Sequence, residues 1–149
     1  MQHPQVKAFF DENTNTFSYV VTDPETKVCA VIDSVLDYDA ASASTSTHSA
    51  DQIIDFVNEQ HLNVEWILET HVHADHVTAA NLLRTRFGCK TVLHRNSGVD
   101  CGDIFITDRS AIRVGEFLIE ARYTPGHTNA CTSYVIDTMV FTGDALLID

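Results

Sequence analysis

Short runs rich in β-branched and aromatic residues occupy 6–10, 17–22 and 27–32, and turn chemistry at 11–15 and at Asp23-Pro24-Glu25 separates them. The first third of the chain therefore predicts three strands in an antiparallel meander. The stretch 40–49 is small, polar and low in complexity, and is expected to be an exposed loop. Ser49 and Gln52 read as a capping box ahead of Ile53, Ile54 and Val57, whose helical spacing predicts a helix over about 50–61. Residues 64–68 then predict a buried strand. A second helix is expected over about 76–87, with Val77, Ala80, Leu83 and Phe87 at core spacing and Gly88 placed to end it.

Residues 90–94 read as another strand. Beyond a turn-rich stretch at 96–102, Gly115-Glu116 joins 111–114 to 117–123 as a two-residue connection suited to a type II′ hairpin, and Asp137-Thr138 joins 131–136 to 139–142 in a similar way. Strands, helix, strand, helix and strands in that order make a mixed α/β chain. Trp66, Phe9, Phe10, Phe17 and Tyr19 fall in or beside predicted strands and are expected in the core.

Composition narrows the function classes. The 149 residues carry 9 Lys+Arg against 21 Asp+Glu, a formal net charge of −12, and charging all 8 histidines leaves the chain acidic. That balance argues against binding to nucleic acid backbones or anionic membranes, and the surplus is read as a solvated face. No apolar run is long enough to span a bilayer, and the N-terminus has neither a signal peptide nor a transit-peptide pattern. Cys29, Cys89, Cys101 and Cys131 are widely spaced without Cys-x-x-Cys, which fits free thiols and a cytoplasmic location. One domain over 1–149 is the expectation.

Half of the histidines fall in two segments that follow predicted strands: Thr70-His-Val-His-Ala-Asp-His76 and Thr124-Pro-Gly-His127. On an extended backbone His71 and His73 project to one side while Asp75 and His76 begin the next helix, so one turn can aim several donors into one volume. Phe141-Thr-Gly-Asp144 also ends a strand with a carboxylate, after a glycine that permits a sharp turn. Two histidines and one carboxylate with open positions suit non-haem iron(II), and the same donors suit zinc. His3, His48, His61 and His94 stand outside these segments and are read as satisfied or exposed side chains; Cys29 is read as packing.

These three segments, in that order, resemble the metallo-β-lactamase superfamily. Within it the chain is most similar to the persulfide dioxygenases, through THVHADHVTAANLLR, through Pro125-Gly-His-Thr-Asn-Ala-Cys131 and through Phe141-Thr-Gly-Asp-Ala-Leu-Leu-Ile148. Glyoxalase II, the nearest rival, usually has Gly-His in place of Ala130-Cys131 and Asp-Thr-Leu-Phe in place of Asp144-Ala-Leu-Leu.

The resemblance implies an αββα sandwich and a single Fe(2+) held by His71, His127 and Asp144. His73, Asp75 and His76 would fix those ligands, or in two-metal relatives complete the first zinc site and start the second. Cys131 would lie near the metal or be inert packing. The implied substrates are glutathione persulfide and O2, with no protein acid or base required. A zinc thioester hydrolase of glyoxalase II type is the alternative, as is an inactive chain. The substrate-gripping residues are not identified; Arg84, Arg86 and Arg122 are candidates by charge. The resemblance further implies that 1–149 is the first half plus the opening strands of the second, lacking a C-terminal part of about 90 residues. Such a chain is expected to form a homodimer or to associate with the missing segment.

Overall fold

A computed structural model describes residues 3–11, 16–34, 37–39, 44–46, 48–70, 79–95, 103–124 and 132–142. The meander forms as the pattern requires: β1 (Gln5–Asp11), β2 (Thr16–Thr22) and β3 (Val28–Ile32) pair antiparallel in sequence order. From β3 the sheet continues with parallel strands, β6 (Asn63–Leu68), β7 (Lys90–His94) and β8 (Ile104–Ile106), giving the order β1-β2-β3-β6-β7-β8. The second sheet is antiparallel, in the order β12-β11-β10-β9, from β9 (Ala111–Val114), β10 (Phe117–Tyr123), β11 (Thr132–Ile136) and β12 (Met139–Phe141).

Two apolar layers hold these parts together. Between the sheets lie Ala30, Ile32, Leu68 and Val92 from the first and Val114, Ile119, Ala121, Tyr134 and Ile136 from the second. On the other face of the first sheet, Cys29, Val31, Val64 and Ile67 pack against Ala50, Ile53 and Val57 of α1 (His48–Glu59) and Leu83 of α2 (Ala80–Phe87). Helix, sheet and sheet thus stack as three layers of the expected sandwich. Among the described residues no helix covers the outer face of the second sheet, and none is long and apolar enough to cross a membrane.

Glycine matters at two turns. Gly88 ends α2 in the left-handed region at φ +65°, its amide reaching Arg84 O at 2.9 Å. Gly115 takes φ +59° between β9 and β10, and a Cβ there would collide with Asp23 and Thr26. The turn docks on Asp23, whose Oδ2 accepts the Glu116 amide at 2.7 Å. Glu116 does not share the positive φ, as a type II′ connection requires.

Several expectations need correction. Residues 40–49 are not simply a loop: β4 (Asp37–Asp39) and β5 (Ser44–Ser46) pair antiparallel, and α1 begins at His48. Ser49 therefore sits inside the first turn rather than at the cap, which removes the capping box with Gln52; α1 then stops at Glu59, and His61 turns left-handed at φ +55°. The second helix is described from Ala80, with the Ala79 amide directed to Ser34 O at 3.4 Å and its carbonyl accepting from Leu83; the expected first turn over 76–78 lies outside the described residues. Strand β8 was not anticipated. Phe10 and Phe17 are 49% and 48% exposed and pair with each other across the hairpin at the edge of the first sheet. Trp66 and Tyr19 are partly buried against the inter-sheet core.

Candidate metal centre

Parallel strands release their C-terminal ends at one rim, and here the interior changes character within one side-chain step. The apolar layer of Ile32, Leu68, Val92, Ala121 and Tyr134 gives way, two residues nearer the rim, to Ser34, Thr70, His94, Tyr123 and Thr132, of which Ser34 and Thr70 lie just past the ends of β3 and β6. Ser34, Thr70, His94 and Thr132 are buried and Tyr123 is half-buried. This polar layer is a floor. The segments bearing the candidate ligands leave it after Thr70, after Thr124 and after Thr142.

Hydrogen bonds join the floor across the two sheets. The Thr132 amide donates to Thr70 O at 2.6 Å, and the buried Tyr134 hydroxyl donates to Glu69 O at 2.8 Å. Tyr123 is the last ladder partner of Thr132, and the Thr124 and Ser133 hydroxyls meet at 2.9 Å, closing the base of the β10–β11 connection. Phe141 pairs with Tyr134 and packs on Tyr19.

Asp33 is the residue that sequence reasoning missed. It is buried, follows β3 in a left-handed conformation at φ +55°, and its carboxylate accepts both the amide and the hydroxyl of Thr70 at 2.8 Å. Its own amide donates to Leu68 O at 2.9 Å, and its carbonyl accepts the Ser18 hydroxyl at 2.6 Å. Asp33 therefore clamps the chain immediately before His71. Burial and then the Asp33 charge push the Tyr19 phenol up, and burial followed by Asp33 and Glu69 does the same for Tyr134. A readable signal existed: an acid directly after an apolar strand, the same cue that draws attention to Asp144.

His71, His73, Asp75, His76, His127, Cys131 and Asp144 all lie outside the described residues. Among the described residues no three His, Cys, Asp or Glu side chains gather as a metal would require. His94, read as a bystander, stands in the floor with its ring stacked on Tyr123. His3 and His48 are exposed, and Cys29 and Cys89 are buried free thiols. Two of the arginine candidates are already engaged. Arg84 grips Asp103 through Nε and Nη2 at 2.6 and 2.7 Å, and Arg122 meets Glu120 at 2.6 Å. A cleft of about 460 Å³ lined by Lys7, Lys27, Phe56 and Leu62 lies at the opposite ends of the strands, away from the floor.

Residues 12–104 match the model of the metallo-beta-lactamase superfamily. A beta-lactamase hydrolase-like protein of Xylella fastidiosa is 38% identical over 99% of this chain and 38% of its own length. The mitochondrial persulfide dioxygenase ETHE1 of Homo sapiens is 36% identical over 96% of this chain and 53% of its own. The crystal structure of ETHE1 from Myxococcus xanthus superposes with a TM-score of 0.85 at 33% identity, covering 97% of this chain and 59% of that one. The chain thus spans roughly 38–59% of the lengths of these relatives. With two packed sheets, helices on one outer face and strand ends joined at a polar rim, the chain belongs to the metallo-beta-lactamase superfamily.

Proposed function

We propose that this chain carries the active site of an iron-dependent persulfide dioxygenase, which oxidises glutathione persulfide with O2 and water to sulfite and glutathione. The observation that carries the reading is the Thr132 N to Thr70 O hydrogen bond at 2.6 Å, which fastens the residue before His71 to the residue after Cys131. Phe141, three residues before Asp144, packs into the same core beside Tyr134. Likeness to ETHE1 of Homo sapiens and of Myxococcus xanthus supports the substrate class.

His71, His127 and Asp144 are the donors we assign to iron. Two neutral imidazoles and one carboxylate fit iron(II) in charge and donor type and leave positions for two reactants. When bound, the metal supplies O2 activation and a seat for the persulfide sulfur. The protein's part is placement: Asp33 holds Thr70, Thr132 ties the two ligand-bearing segments, and His73, Asp75 and His76 orient the donors. Cys131 lies beside them in this reading. No side chain is assigned as acid or base. A cytoplasmic protein, as a single domain over 1–149 that associates with itself or with a further segment, completes the reading.

Metal analysis and an oxygen electrode test it. A single iron per chain and O2 uptake with glutathione persulfide are expected, both lost in Asp144→Ala. Zinc together with hydrolysis of a glutathione thioester would establish the second reading, which the likeness to the Xylella fastidiosa hydrolase-like protein favours; Asp75 and His76 would then bind metal directly. A chain holding no metal until a further segment is supplied would establish the third, an inactive fragment.

A further inference from the structure

His94 and Tyr123 are the last inward-facing residues of β7 and β10, one on each sheet. Their rings stack with centroids 4.4 Å apart at 18°, so the pair bridges the sheets within the polar floor. On one side, the parallel register that sets Leu68 beside Val92 brings Thr70 and His94 to the same level on adjacent strands. On the other, Tyr123 ends the β10 ladder opposite Thr132 and stands four residues before His127. Its amide is held by Asp108 Oδ1 at 2.9 Å. The stack thus stands beside Thr70 and at the end of β10, where the sequence passes into the two histidine-bearing segments.

An aliphatic residue at position 94 would continue the core and fill similar volume. It would not fix the plane of the Tyr123 ring, which only a flat neighbour at near-parallel angle can do. Burial, helped by the Arg95 charge and opposed by Asp108, pushes the imidazole below its ordinary value, which favours the neutral ring in this place.

We propose that the His94–Tyr123 stack is a positioning device that fixes how β10 hands the chain to the His127 segment, so that flat rings at both positions are needed for tight metal binding. This rests on the reading of His71, His127 and Asp144 as ligands. The test compares ferrous-iron dissociation constants and melting temperatures for wild type, His94→Phe, Tyr123→Phe, His94→Leu and Tyr123→Leu. The two phenylalanine variants keep the stack and should bind iron within about 2-fold of wild type. The two leucine variants keep the burial but lose the stack, and should weaken iron roughly 10-fold or more, the scale seen when residues supporting a ligand are replaced.

Leucine variants that bind iron like wild type overturn the proposal. So does a loss that is equal in the phenylalanine and leucine variants, or one that simply follows melting temperature through all four, which would mark the pair as ordinary core. A wild-type protein that takes up no iron overturns it as well. A wild type that binds iron but consumes no O2 with glutathione persulfide instead overturns the proposed function, and the order of the dissociation constants still decides the role of the stack.

Discussion

The two sheets differ in how many of their faces are covered, and their sequences differ accordingly. In β3, Cys29 and Val31 face the helices while Ala30 and Ile32 face the second sheet, so every one of these residues is buried and the strand reads as an unbroken apolar run. In β9, Ile112 and Val114 turn inward while Ala111 and Arg113 are exposed, and β10 alternates in the same manner, leaving Leu118 53% exposed. A strand covered on both faces needs apolar residues at every position, and a strand covered on one face needs them at every second position. Apolar run length therefore reports the number of layers above and below a strand.

The comparison can be broken most severely at its centre. Leu68→Ala removes a fully buried side chain from between the sheets and should cost about 2–5 kcal/mol by denaturant unfolding, whereas Leu118→Ala on the outer face should change stability by no more than about 0.5 kcal/mol. Equal losses would mean that the outer face is covered after all. Asp33→Ala comes next. It strips the Thr70 amide and hydroxyl of their acceptor and forces alanine into the left-handed region, so about 1–3 kcal/mol of stability should go. Iron affinity should fall with it, by roughly 10–100-fold, and Asp33→Asn should be milder in both measurements because asparagine tolerates that backbone and keeps one acceptor oxygen.

Trp66→Phe sharpens the contact between the sheets, since it deletes the indole hydrogen bond to Arg113 O at 2.9 Å; about 0.5–1.5 kcal/mol is expected. A further effect is one of pH. Burial, then the neighbouring Cys89 and Glu65, push the Cys29 thiol up to about 12 from 9.0. The folded state thus keeps a proton that the unfolded state releases above pH 9, so this contribution is whole below pH 9 and declines as pH rises towards 12. Over the first unit above pH 9 the loss is on the order of 1 kcal/mol, and Cys29→Ala should flatten that slope in urea melts taken between pH 8 and 10. A wild-type curve that stays flat there would count against burial of the thiol between helices and sheet.

Elements that hide a face along their own length were legible. Strands β1, β2, β3, β6 and β7 and the end of α2 at Gly88 appear within a residue or so of where periodicity and turn chemistry set them. Strand β8 escaped because its three residues carry too little pattern, and it exists through pairing with β7. The β4–β5 pair, Asp-Tyr-Asp against Ser-Thr-Ser, has no apolar alternation at all. The proposed ligand residues stand out in the sequence because histidines and acids clustered after strands are chemically conspicuous, and they lie outside the described residues. Asp33 and His94 were passed over: Asp33 carried the cue of an acid after an apolar strand, but a single acid or histidine looks alike whether it is solvated or buried in a floor.

By itself the sequence determined which residues could form strands and helices, where the chain turns, and which segments gather metal-ligand residue types. Those properties follow from side-chain type and from the local periods of 2 and 3.6 residues, which need no distant partner. Only the tertiary structure decided that Phe10 and Phe17 are exposed while Asp33 is buried, that Thr70 meets Thr132, and that His94 stacks on Tyr123. Each of these depends on what a strand far along the chain brings to the same face, and coverage of a face is a property of the packed pair of sheets that neither strand encodes alone.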